Sequence, residues 1–178
     1  KTEFDKTRDN KDLGEVVVIY QQGQGPVKQP HPGWHRIPKL YARSQRGLTA
    51  RVTFTPEKGD AVTLTTNRLF SLEETAIKNL DDQYAEIIAK RAAGIATKAV
   101  VADQIRQKNE LLGSLAWIGM NLADQADLRQ WTFLPSSFHV ARQRLAPGQY
   151  RVRAVALDGS GEPTGEVSEE MIVVKAKA

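Results

Sequence analysis

The sequence predicts an α+β fold: a mostly antiparallel β-sandwich of about seven strands with a two-helix insertion between strands four and five. Three observations predict it. A β-branched run at 15–20 is followed by apolar residues at every second position through residues 48–69. From 71 to 130 the apolar spacing becomes three and four, in an Ala-rich stretch without proline. From about residue 138 the period of two returns. Residues 1–12 read as a polar leader or the end of an upstream segment. Residues 13–178 read as a single sandwich domain with its insertion at about 71–130. Strands at 14–69 alone would leave unpaired edges, so the C-terminal strands are expected to complete the same sheets.

The first strand is the β-branched run Glu15 to Tyr20, expected to be buried on both faces. Residues 21–35, QQGQGPVKQPHPGWH, hold three Gly and three Pro and read as a long loop without regular structure. Ile37 to Arg43 reads as a short edge strand, since Pro38 withholds one ladder hydrogen bond. Leu48, Ala50, Val52 and Phe54 alternate with polar residues. After the Pro56-Glu-Lys-Gly59 turn, Val62 and Leu64 alternate again, so 48–69 reads as a hairpin.

Ser71 stands three residues before Glu74, the spacing of a capping box at a helix start. Ile77, Leu80, Tyr84, Ile88, Ala92, Ile95, Ala99 and Ala102 then form one stripe, with Gly94 a candidate for close helix contact. Leu111, Leu115, Ile118, Leu122 and Ala126 form a second stripe. A single straight helix would expose this apolar surface along roughly 80 Å of rod. A turn at the all-polar Arg106 to Glu110 hides it in a helical hairpin. Further on, Phe138, Val140 and Arg142 are expected on one face of a strand, with His139 on the solvent face. Leu145-Ala-Pro-Gly148 is a turn. Tyr150, Val152, Ala154 and Ala156 alternate, Asp158 to Gly161 turns, and Glu170 to Lys175 is the last strand.

Composition narrows the function classes. The chain has 178 residues, 40% hydrophobic and 26% charged, with a net charge of +4. These values suit a globular domain. Basic residues are scattered among acids, and only Arg142, Arg144, Arg151 and Arg153 cluster, so no nucleic-acid partner is expected. The longest apolar stretch, Leu111 to Ala123, is short of a membrane span and is broken by Gly113, Ser114, Gly119 and Asn121. There is no cysteine, which excludes disulfides, thiolate metal sites and cysteine nucleophiles within these residues. Beginning at Lys1, the chain reads as a processed or truncated piece with any targeting segment upstream.

No chemistry-bearing motif emerges. His31 and His35 are separated by Pro32 and Gly33 and lack a third ligand, so no metal is expected. Asp81, Asp82, Glu86, Asp124 and Asp127 suit helix capping and ion pairs rather than acid–base work. Ser136 and Ser137 follow Pro135 without a GxSxG elbow, and no phosphate-binding glycine loop is present. No catalytic residue and no cofactor are expected. Trp131, Phe133, Leu134 and Phe138 around a helix-to-strand junction read first as the cover of a core corner, and Trp34 in the Pro/Gly-rich segment as packed on its own domain; where exposed, they are the candidates for partner contact.

The stretch NLADQADLRQWTFLPSSFHVARQRLAPGQYRV, residues 121–152, resembles the signature region of an uncharacterised family of Gram-negative envelope lipoproteins with a TPR-like N-terminal region. The matching pieces are Ala123 to Trp131, Leu134 to Arg142, and Leu145 to Val152. The opening strand Gly14 to Tyr20 is also similar, and the likeness covers most of 14–153. The resemblance implies the C-terminal part of a longer lipoprotein, in the periplasm or on the inner face of the outer membrane. It also implies a link to cell-wall or envelope assembly. Membrane attachment would come only through an upstream lipid anchor, and the family supplies no catalytic residue.

The expected function is therefore a non-catalytic structural or scaffolding domain in a multiprotein envelope assembly or homo-oligomer. The candidate partner-binding residues are Trp34, Ile95, Leu115, Trp117 and Trp131. The alternative is a module that binds peptidoglycan or another glycan through Trp34, Trp131 and the nearby arginines.

Overall fold

A computed structural model describes residues 12–122 and 125–176. It is α+β, with nine strands in antiparallel sheets and three helices. The strands are β1 Gly14–Gln22, β2 Val27–His31, β3 Trp34–Tyr41, β4 Thr49–Pro56, β5 Val62–Thr65, β6 Asn67–Ser71, β7 Ser137–Leu145, β8 Gly148–Leu157 and β9 Pro163–Val174. The helices are α1 Leu72–Asp82, α2 Tyr84–Lys108 and α3 Glu110–Leu122. In chain order the helices thus follow the sixth strand rather than the fourth. The chain divides into two compact units, one of residues up to 25, 44–73 and from 133, the other of 26–43 and 74–132.

The first unit holds a three-stranded sheet ordered β1-β7-β6 and a four-stranded sheet ordered β5-β4-β8-β9. Their inner rows meet in one core. Val52 and Phe54 are fully buried there with Ala141, Leu145, Tyr150 and Val174, flanked by Val16, Val18, Val62, Leu64, Val152 and Ile172. Each such large apolar side chain contributes roughly 1.5–3 kcal/mol on burial. The period-two reading holds for Ala50, Val52 and Phe54 but not for Leu48. That residue precedes the ladder and is 49% exposed. At the start of β1, a Cβ on Gly14 would collide with Lys175 O and Val174 Cγ1, so only glycine lets this strand approach the end of β9.

Three strand expectations are corrected. Among the described residues β1 pairs with β7 alone, and Val17 and Ile19, on the face opposite the core-flanking Val16 and Val18, are 49% and 66% exposed instead of buried. His139 is on the inner face of β7 with Ser137 and Ala141, and is buried. The wider strand β9 begins at Pro163, seven residues before the expected Glu170, because an alternation of Glu, Ser and Val carries no apolar signal.

The second unit corrects the reading of 21–35 as a loop. β2 and β3 form a two-stranded hairpin in which Pro30 stands opposite Pro38. A two-stranded ribbon has free edges on both sides, where a residue without an N–H costs no ladder bond. The expected turn within 106–110 falls at Asn109. This residue ends α2 by donating its N–H to Ile105 O, and starts α3 by accepting from the Leu112 N–H at 3.1 Å. A further break at Gln83 makes the helices three. The packed face of α2 runs through Ile87, Arg91, Ile95, Lys98, Ala102 and Ile105, so Ile88, Ala92 and Ala99 lie off it. A Cβ added at Gly94 would meet nothing within 4 Å outside its own helix turn, and the close helix contact is made by Gly113.

Candidate interaction site

All five residues expected at a partner surface belong to the second unit. They do not form one patch. Trp34 opens β3 opposite His31 and is half-buried, and the His31 ring lies 5.7 Å from Tyr84. Ile95 is half-buried on the packed face of α2. Trp131, after α3, is 74% exposed. Among the described residues Trp34 and Trp131 form no ring pair.

Leu115 and Trp117 define the two faces of α3. The helix reads ELLGSLAWIGMNL, with Glu110 its one charge. Gly113 lies against the backbone of Arg106, and Trp117 lines a shallow hollow with Ala99, Ala102, Asp103 and Arg106 of α2. Lys98 reaches Met120 O at 3.5 Å, closing the antiparallel pair. One face of α3 is thereby covered. The other carries Leu111, Leu115 and Ile118, which are 69%, 55% and 52% exposed. Their spacing of four and three places them in one row. Ala123 and Asp124 lie outside the described residues.

The hairpin, whose Ile37 is fully buried, is tied to the helical part by side-chain hydrogen bonds. Tyr84 donates its hydroxyl to Pro38 O at 2.6 Å, Arg36 bonds Asn121 Oδ1, and Asn121 Nδ2 donates to Trp117 O at 2.8 Å. The backbone N–H of Lys28 donates to Gln130 Oε1, and its ammonium to Arg129 O at 3.2 Å. Burial, then the charge of Asp81 and Tyr41, raises the Tyr84 phenol pKa, which keeps it a neutral donor. Arg129 clamps Asp127 with two guanidinium bonds and holds its carboxyl far below the usual range. Asp82 and Glu86 pair with Lys78 and Lys90 on the helix surface. These carboxylates are therefore used in ion pairs.

The basic cluster also dissolves into pairs. Arg142 and Arg144 bind Glu15 across the β1–β7 ladder, and Arg151 faces Glu169. Among the described residues no group of three His, Cys, Asp or Glu side chains could hold a metal ion. No described helix is long and apolar enough to cross a membrane.

Sequence reasoning missed Ile118 as a single contact residue, although the second stripe contained it. It also missed a buried polar network in the first unit. Ser137 Oγ donates to Gln22 Oε1 at 3.1 Å and lies 2.9 Å from His139 Nε2, while Gln22 Nε2 donates to Gly47 O. Nothing in a Gln, a Ser and a His far apart in sequence signals that they meet. Comparison with family models, with curated proteins and with solved structures finds no match to this chain.

Proposed function

We propose that this chain is a non-catalytic structural or scaffolding domain that docks protein partners through its helical insertion. The observation that carries the reading is the row Leu111, Leu115 and Ile118, more than half exposed on a helix whose opposite face is already packed. A contiguous apolar row in water marks an interface rather than a solvated surface. In this reading the seven strands of the first unit form a sandwich, and the helices with the β2–β3 hairpin are its insertion. The envelope setting, in the periplasm or on the inner face of the outer membrane of a Gram-negative cell, rests on the lipoprotein resemblance. So do the upstream lipid anchor and the multiprotein assembly or homo-oligomer.

The test is recovery of the tagged protein from mildly crosslinked, detergent-solubilised envelopes. Wild type is expected to bring down a stoichiometric set of envelope proteins. Leu115→Asp with Ile118→Asp is expected to lose that set while keeping its circular dichroism, since both side chains already face solvent. A partner set unchanged by the double variant would sink the reading.

A second reading, a peptidoglycan- or glycan-binding module, is favoured by the 74% exposed Trp131, whose ring is available to stack on a sugar. Retention on peptidoglycan, lost in Trp131→Ala, would favour it over protein docking.

A further inference from the structure

A separate surface lies in the first unit. Among the described residues β1 pairs with β7 alone and β9 with β8 alone, so each sheet ends in an edge strand. Both edges border one cleft of about 320 Å³, lined by Val16, Val18, Tyr20, Val152, Ser168 and Glu170 among others. The two strands meet at Gly14 and Lys175 and diverge from there. The opening is thus bounded on one side by the β1 backbone from Val16 to Tyr20 and floored by the aliphatic row beneath.

The inner face of β9 changes character along this opening. Val174 and Ile172 face the core, but Glu170 and Ser168 follow on the same face, opposite Val152 and Ala154. Glu166 lies beyond Val167, where the pairing with β8 shifts register, and its charge adds to burial in raising the Tyr20 phenol pKa. Glu15 and Glu169 are satisfied by Arg142 and Arg151. Among the described residues neither Glu166 nor Glu170 has a cationic partner, and no cation lines the cleft.

A long apolar edge strand is a template for pairing with another strand. The charges decide what pairs. β1 is GEVVVIYQQ and β9 is PTGEVSEEMIVV, and neither contains a Lys or Arg. A second copy offering β9 would add carboxylates to carboxylates, and one offering β1 would bring no cation to them. We infer that the cleft binds an extended segment of a different protein, added as a strand to β1, with a Lys or Arg of that segment set against Glu170. Its other inward residues are apolar and cover Val16, Val18 and Val152. This surface is independent of the α3 row.

The experiment is selection of a displayed random nonapeptide library on the full chain. Enriched peptides should alternate β-branched or aromatic residues with Lys or Arg. A labelled enriched peptide should bind the Glu170→Gln variant about three- to fivefold more weakly, the size of one exposed ion pair. It should bind the Leu115→Asp, Ile118→Asp variant unchanged, and shift the backbone amide signals of residues 14–22. Enrichment of acidic sequences, no enrichment, equal binding to the Gln variant, or amide shifts confined to residues 84–122 would each overturn the inference.

Discussion

Ser137 Oγ and His139 Nε2 lie 2.9 Å apart on the buried face of β7, and the proton between them belongs to the imidazole. A hydroxyl has one proton, and that of Ser137 is donated to Gln22 Oε1. The serine must then accept from His139 Nε2–H, which leaves Nδ1 a bare lone pair. Nδ1 indeed has no hydrogen-bond partner among the described residues. The imidazole therefore donates toward the serine rather than drawing its proton away. The pair links β7 to β1 and, through Gln22 Nε2, to the Gly47 carbonyl.

This arrangement makes His139 a source of acid sensitivity. Burial, and then the Arg68 guanidinium, lower its pKa below the ordinary value of 6.5. Protonation would place a second N–H at Nδ1, where nothing accepts it. The unfolded chain binds the proton more readily, so stability is complete above about pH 6.5 and falls as pH drops below that value toward the depressed folded pKa. The expected result is a steeper loss of unfolding free energy between pH 7 and 5 in wild type than in His139→Gln, measured by urea titration at each pH. Parallel curves for the two proteins would contradict the assignment.

Core position and apparent pattern separate at Phe54 and Leu48. Both fit the same alternating row in sequence, but Phe54 is fully buried and Leu48 is 49% exposed. Phe54→Ala is expected to cost about 3–5 kcal/mol, through lost transfer energy and the cavity left behind. Leu48→Ala is expected to stay within about 0.5 kcal/mol. Chemical denaturation of the two variants checks the contrast, and comparable losses would place Leu48 in the core.

Much of the sheet architecture was legible because Val52, Phe54, Tyr150 and Val152 repeat with the period of the pleat. The turn at Asn109 was legible because five polar residues interrupt two apolar stripes. Other features were hidden for identifiable reasons. Prolines at 30 and 38 disguised the β2–β3 hairpin, since they are tolerated only on a ribbon with free edges. The α2 packed face was misplaced beyond Tyr84 because Arg91 and Lys98 lie on it, and long basic side chains cover surface with their aliphatic stems. For the contact site, the α3 apolar residues were legible as a stripe. Which face of α3 stays exposed depends on Gly113 meeting Arg106, a tertiary contact without a local signature.

The β8–β9 connection should depend on a single carboxylate. Asp158 Oδ1 accepts from the Ser160 hydroxyl and N–H at 2.8 Å and from the Glu162 N–H at 2.9 Å. The Ser160 hydroxyl, then these backbone donors, hold its carboxyl below the usual range, so the turn keeps its acceptor until pH falls below that range. Asp158→Ala is expected to speed amide exchange at Ser160 and Glu162 by about tenfold, whereas Asp158→Asn, which keeps an acceptor oxygen, changes it less. Equal exchange in wild type and the Ala variant would show that the side chain does not hold the turn.

Two glycines in the helices should respond to alanine with opposite signs. Gly94 is in the middle of α2 with nothing within 4 Å of an added Cβ. There alanine removes backbone freedom from the unfolded chain and meets no obstacle, so Gly94→Ala should stabilise by about 0.5–1 kcal/mol. Gly113 is buried against α2, and an added Cβ would come within 2.5 Å of Arg106 Cα and 2.6 Å of its N. Backbone atoms cannot swing aside as a side-chain tip does, so α3 must move away from α2. Gly113→Ala should therefore destabilise by about 1–3 kcal/mol despite the better helix propensity of alanine. Amide exchange at 112–117 reads the local effect, and it should rise in Gly113→Ala and remain unchanged in Gly94→Ala. The same movement shifts Trp117 from its place beside Ala102 and raises its exposure, so tryptophan fluorescence provides a second readout. Should both variants gain stability, the helices do not approach at Gly113. In that case the face of α3 that carries Leu115 and Ile118 would no longer be fixed outward.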